Sequence, residues 1–151
     1  MDYGLVAKQV AALIEDEPHY IPALSNISSV LMQELPDLNW AGFYLLRGET
    51  LVVGPFQGKP ACIHIGIGKG VCGTAVAENR TVLVENVHDF PGHIACDCAS
   101  NSEIVLPLYS GQEIKGVLDL DSPVIGRFTE EDRKGLETVA SLISGAVIWA
   151  E

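Results

Sequence analysis

Cys62, Cys72 and Cys96, together with Glu103, Asp119 and Asp121, crowd the stretch from position 57 to position 121. Thiols attack electrophilic centres and then form disulfides with one another, and clustered acids hold a proton near neutral pH. In combination these residue types suggest thiol-dependent reduction of a small oxidised molecule. Asp119 and Asp121 stand two apart in Gly116-Val117-Leu118-Asp119-Leu120-Asp121, so on a strand both point one way while Leu118 and Leu120 point the other. Such a pair either faces solvent near the Asp121-Ser122-Pro123 turn or floors a pocket where like charges raise one pKa. Whether Glu103 joins them depends on hairpin register. A three-residue loop at 110–112 pairs Tyr109 with Glu113 and sets Glu103 across from Asp119. A two-residue loop sets it across from Leu120, on the wrong face, because one step of slip turns every side chain over. The first arrangement is the expectation.

The cysteines admit three readings. Free cysteine often behaves as a small buried hydrophobe, which suits Cys62 taken alone, since it alternates with His64 on an expected strand. Cys62, Cys72, Cys96 and Cys98 with His93 would supply enough ligands for zinc, but no C-x₂-C pair is present. As a redox set, Cys96 in a glycine-flanked loop can attack, and Cys62 or Cys72 can resolve; nothing basic in the adjacent sequence lowers the pKa of Cys96. Gly66-Ile67-Gly68-Lys69-Gly70 lacks the spacing of a phosphate loop. Trp40 and Tyr44 share a strand face and by themselves read as core packing.

The elements that must position these groups follow from periodicity. Tyr3, Val6, Val10 and Leu13 recur at helical steps, and a second helix from about Ile21 carries Leu24, Ile27, Leu31 and Leu35 on one face before Pro36. Strands are expected at 38–46, 51–56, 61–65, 81–85, 104–109 and 114–120, with a short helix at 71–79. Residues 86–101 have no period; loops of that length in a compact domain are usually functional. A last helix opens at Thr129 with Glu130, Glu131 and Asp132 in its first turn. The pattern describes an α+β domain spanning 1–151, with a six-stranded central antiparallel sheet flanked by N- and C-terminal helices.

With 151 residues, a net charge of −11 and nine Lys+Arg, the chain has no basic face for nucleic acid and little affinity for anionic membranes. Its start lacks a basic signal region, and residues 139–150 are too short and interrupted to cross a bilayer. A cytoplasmic location is expected, where disulfides are transient and catalytic rather than structural.

Seven segments carry a more specific signal: Asn39-Trp40-Ala41-Gly42-Phe43-Tyr44, Gly54-Pro55-Phe56-Gln57-Gly58, Ala61-Cys62, Gly70-Val71-Cys72-Gly73-Thr74, Phe90-Pro91-Gly92-His93-Ile94-Ala95-Cys96-Asp97, Ser100-Asn101-Ser102-Glu103-Ile104 and Gly116-Val117-Leu118-Asp119-Leu120-Asp121-Ser122. Their residues, order and spacing resemble the free methionine-(R)-sulfoxide reductases, which are single-domain GAF proteins. The resemblance implies a GAF-like sheet, a dimer built from the terminal helices, and reduction of free L-methionine (R)-sulfoxide without metal or organic cofactor. It implies Cys96 as the nucleophile, Cys62 and Cys72 as resolving thiols, Glu103, Asp119 and Asp121 as substrate-binding acids, and Trp40 and Tyr44 as aromatics around the substrate methyl group. A thioredoxin-like dithiol would recycle the disulfide. Cys98 departs from the family pattern, where a small Ser or Ala is more usual. A non-catalytic GAF sensor of a small ligand is the alternative, though a sensor has no need of three placed thiols.

Overall fold

The computed structural model describes residues 1–92 and 100–150. Helix α1 (Tyr3–Asp16) starts where the Asp2 carboxylate accepts from the Leu5 N–H, and it buries Val6, Val10 and Ile14. Helix α2 (Tyr20–Glu34) buries Leu24, Ile27 and Leu31 and ends at Leu35, because the residue before a proline avoids helical backbone. There follow β1 (Trp40–Arg47), β2 (Thr50–Gly58), β3 (His64–Gly66), α3 (Gly70–Glu78), β4 (Val82–Val84), β5 (Ser102–Ser110), β6 (Glu113–Ser122) and α4 (Glu130–Ala146). All six expected strands are present. They form one sheet in the order β3-β2-β1-β6-β5-β4 with every neighbouring pair antiparallel.

Strand alternation divides the protein into two layers of packing. Phe43, Ile104, Leu106, Leu118 and Leu120 point to the face covered by α1, α2 and α4. Trp40, Tyr44, Val105 and Val117 point to the opposite face, under α3. Leu118 and Leu120 are fully buried, and each stabilises the fold by roughly 1.5–3 kcal/mol. A one-residue slip of β6 would forfeit that burial and press two carboxylates into the apolar layer, so the register is strongly held. Across the helical layer, Tyr3 Oη donates to Asp132 Oδ1 at 2.6 Å and Arg127 Nη1 lies 3.2 Å from Oδ2. Asp132 also completes a capping box with Thr129, so one carboxylate joins α1 to the start of α4.

The β5–β6 hairpin differs from expectation in an instructive way. Its turn holds two residues, Gly111 and Gln112, with Ser110 paired to Glu113; Gly111 takes the positive φ (62°) that such tight turns favour in glycine. A two-residue turn alone would set Glu103 across from Leu120. The ladder then shifts between Tyr109, paired with Ile114, and Leu108, paired with Gly116, leaving Lys115 as an extra residue. That bulge restores the facing, and Glu103 pairs with Asp121 rather than Asp119. A second irregularity, between β1 and β2, falls opposite Gly54 and Pro55, where a proline in a sheet is tolerated. The 61–65 strand is also shorter than expected. It begins at His64, so Cys62 lies in the loop after β2 and does not alternate with His64 on a strand.

Candidate active site

The face beneath α3 gathers the acids. Three neighbouring strands contribute: Trp40 on β1 pairs with Asp121 on β6, which pairs in turn with Glu103 on β5. One step along, Gly42 lies across from Asp119, itself across from Val105. Gly42 is required there, because a Cβ would come 2.2 Å from the Phe56 Cβ, and Phe56 stacks on the Trp40 ring with centroids 5.0 Å apart. Trp40 also lies 5.8 Å from Tyr44, and its indole N–H donates to the Lys59 carbonyl at 3.2 Å. Tyr44 Oη donates to the Cys62 carbonyl at 3.1 Å, which fastens the Cys62 loop to the aromatic floor.

Glu103, Asp119 and Asp121 are 7%, 5% and 9% exposed. Burial first, and then the charge of Asp119, pushes Glu103 well above the ordinary carboxylate range; burial and then the charge of Asp121 does the same to Asp119. So close a set cannot all ionise, and protons stay in the cluster near neutral pH. Asp119 Oδ2 accepts from Cys72 Sγ at 3.5 Å, whereas Oδ1 is buried and, among the described residues, has no donor beyond a proton shared with Glu103 or Asp121. A buried carboxylate oxygen served only by a shared proton can still accept a ligand's donor.

Cys72 reaches Asp119 from the first turn of α3. Burial, then the neighbouring charges of Asp119, Glu103 and Asp121, pushes its thiol pKa up. Cys62 is disulfide-bonded, whereas Cys72 is free. A cysteine in a disulfide cannot supply the thiolate that the five-residue zinc reading would need. Among the described residues, the group close enough to share a cation is Cys72, Glu103 and Asp119, with ligand atoms within 4.8 Å of one another. Cys96, Cys98 and His93 lie outside the described residues. The described ends of the 86–101 loop are pinned beside the acids: Val87 N–H donates to the Asn101 carbonyl, and Asn39 Nδ2 donates to Ser100 Oγ.

The structure therefore brings Trp40, Tyr44, Cys72, Glu103, Asp119 and Asp121 to one face of the sheet, with Cys62 attached through Tyr44. Phe56 and Gly42 were not singled out from sequence as parts of this floor. Only their place across a strand pair could have indicated it. The Cys72–Asp119 contact, 47 positions apart, has no local signal in the sequence. Chemically, the site offers negative charge and retained protons beside an aromatic wall, which suits a small zwitterion or cation with an apolar end.

Comparison with known proteins gives a consistent result. The GAF domain family model matches residues 23–147. The free methionine-R-sulfoxide reductase of Escherichia coli is 55% identical over 139 residues, covering 92% of this chain and 84% of that protein. The fRMsr of Staphylococcus aureus, solved in complex with substrate, superposes with a TM-score of 0.91 at 53% identity, covering 95% of this chain and 94% of the other. The free methionine-R-sulfoxide reductase of Neisseria meningitidis, also solved with its substrate, gives a TM-score of 0.91 at 40% identity over 94% and 86% of the two chains.

Proposed function

The chain belongs to the free methionine-R-sulfoxide reductases of the GAF family, and from that premise we propose that it reduces free L-methionine (R)-sulfoxide to L-methionine. The observation that carries the reading is the buried three-acid floor of Glu103, Asp119 and Asp121, where Asp119 Oδ1 has no donor beyond a shared carboxyl proton and the substrate ammonium can supply one. The substrate methyl group then rests against Trp40 and Tyr44, the aromatic side of the same floor.

The reaction balances without metal or organic cofactor. The Cys96 thiolate attacks the sulfoxide sulfur while a protonated acid among Glu103, Asp119 and Asp121 donates to the oxygen. The oxygen transfers to Cys96, methionine departs, and the cysteine is left as a sulfenic acid. The Cys62 thiol then displaces water from that sulfenic acid, forming a disulfide. One sulfoxide and two thiols thus give one sulfide, one disulfide and one water. Cys62 being disulfide-bonded while Cys72 is free supports Cys62 as the first resolving thiol. A thioredoxin-like dithiol of the cytoplasm restores both thiols by exchange, and the reaction would serve repair under oxidative stress.

The test is anaerobic single turnover on the reduced protein with no recycling reductant. Wild type is expected to release one methionine per chain and lose two thiols, and Cys96→Ser to release none. Intact thiols and bound, unchanged substrate in wild type would leave a binding module in place of an enzyme. We also expect a homodimer through the terminal helices, where Leu5 on α1, Ile21 on α2 and Ile148 just past α4 are each about half exposed despite being apolar. Sedimentation equilibrium at micromolar concentration checks this, and a monomer there would refute it.

A further inference from the structure

We propose that Cys72 is a positioning thiol: its S–H holds one oxygen of Asp119 so that the other is presented to the substrate, and it takes no part in disulfide exchange. The proposal rests on the reductase reading and assigns a task to Cys72, a buried thiol that the mechanism above does not use.

The geometry fixes Cys72 closely. Helix α3 begins against the end of β3, where Gly73 has its α-carbon so near the Gly66 carbonyl that a Cβ would stand 2.3 Å from it. The Gly68 N–H donates to the Gly73 carbonyl at 2.8 Å, and the Gly73 N–H donates to that of Lys69 at 2.9 Å. Cys72 stands beside this clamp, 3% exposed, with Val71 and Ala75 buried around it. Its sulfur has little freedom except to face Asp119 Oδ2 at 3.5 Å.

A carboxylate held at one oxygen by a fixed donor loses its freedom to rotate, and its second oxygen then points in one direction. For Asp119 that second oxygen is Oδ1, which has no donor among the described residues beyond a proton shared with Glu103 or Asp121. Pre-setting it lowers the ordering cost of binding the substrate ammonium. The same surroundings argue against Cys72 as a resolving thiol. To attack a sulfenic acid it would need to become a thiolate beside Asp119 and Glu103, and burial with those neighbours raises its pKa. It would also have to leave a contact with no solvent around it.

The experiment uses Cys72→Ser and Cys72→Ala in the full chain, read by substrate affinity, first-turnover rate at saturation, and thiols lost per methionine. Serine keeps a donor and is expected to bind free methionine (R)-sulfoxide within a few-fold of wild type. Alanine removes the donor and is expected to weaken binding by roughly tenfold, the effect of one buried hydrogen bond, with the saturated rate nearly unchanged. Both variants are expected to lose two thiols per methionine. Equal weakening in serine and alanine, or none in alanine, would overturn the proposal. So would loss of disulfide formation in both. Inactive wild type would instead refute the reductase reading on which all this rests.

Discussion

A Cys62→Ser variant is expected to release one methionine per chain at close to the wild-type first-turnover rate and then stop. In multiple turnovers with a dithiol protein as reductant, its rate should fall by at least about a hundredfold. The sulfenic acid on Cys96 then lacks its resolving thiol and waits for slow attack from outside or oxidises further. Rapid-quench methionine counts, followed by trapping of the sulfenic acid with a dimedone-type reagent, separate the two phases. The result follows from where Cys62 sits. It lies on a loop at the margin of the floor, held through its carbonyl by Tyr44, rather than among the acids. A first turnover lost as completely as in Cys96→Ser would show that Cys62 acts before the sulfur–oxygen bond breaks, and the role assignment would fail.

The second large effect runs in opposite directions for stability and function. Glu103→Gln and Asp119→Asn are each expected to weaken substrate binding by about a hundredfold or more, because each removes a buried charge partner for the ammonium. Both should nevertheless make the ligand-free protein more stable above pH 5. The two carboxyls have raised pKa values in the fold, so the folded state keeps protons that the unfolded chain has released. Their contribution is fully present below about pH 4, where unfolded carboxylates are protonated, and declines as pH rises through the raised folded values. A neutral amide escapes that decline. The gain should be near zero at pH 4 and reach roughly 1–2 kcal/mol at pH 8, or a few degrees in Tm for a domain of this size. Calorimetry at the two pH values decides it: variants less stable than wild type at pH 8 would mean that the acids are satisfied in the fold rather than held in readiness.

Much of this arrangement was legible in the sequence, for physical reasons that can be named. The helices announced themselves because Val6 and Val10, or Leu24, Ile27 and Leu31, must return to one side every three or four residues to be buried. Alternation of Leu118, Asp119, Leu120 and Asp121 likewise required one apolar and one acidic face. Register was harder. Glu103 does share a face with Asp119 and Asp121, but it pairs with Asp121, and the two-residue turn with its bulge at Lys115 replaces the simple three-residue loop expected. Both routes put Glu103 on the acid face, and face is all that an alternation argument can see. Cys62 fell off its expected strand because Ile63 and Ile65, the β-favouring residues there, say little about which neighbours find a ladder partner. The contacts that complete the floor, Cys72 to Asp119 and Tyr44 to the Cys62 carbonyl, join distant parts of the chain and have no period to betray them.

The extra residue at Lys115 therefore acts as a phase correction. The hairpin end is one residue too short to bring Glu103 round to the acids, and the bulge supplies the missing half-period. Deleting Lys115 would straighten the ladder, with Gly116 following Ile114 directly opposite Leu108 and Glu103 still across from Asp121. A single residue of extra length at the hairpin end is taken up locally, without turning over any side chain beyond the bulge. A site on three separate strands thus depends on a bulge at the far end of a hairpin, away from the chemistry, to absorb the odd residue.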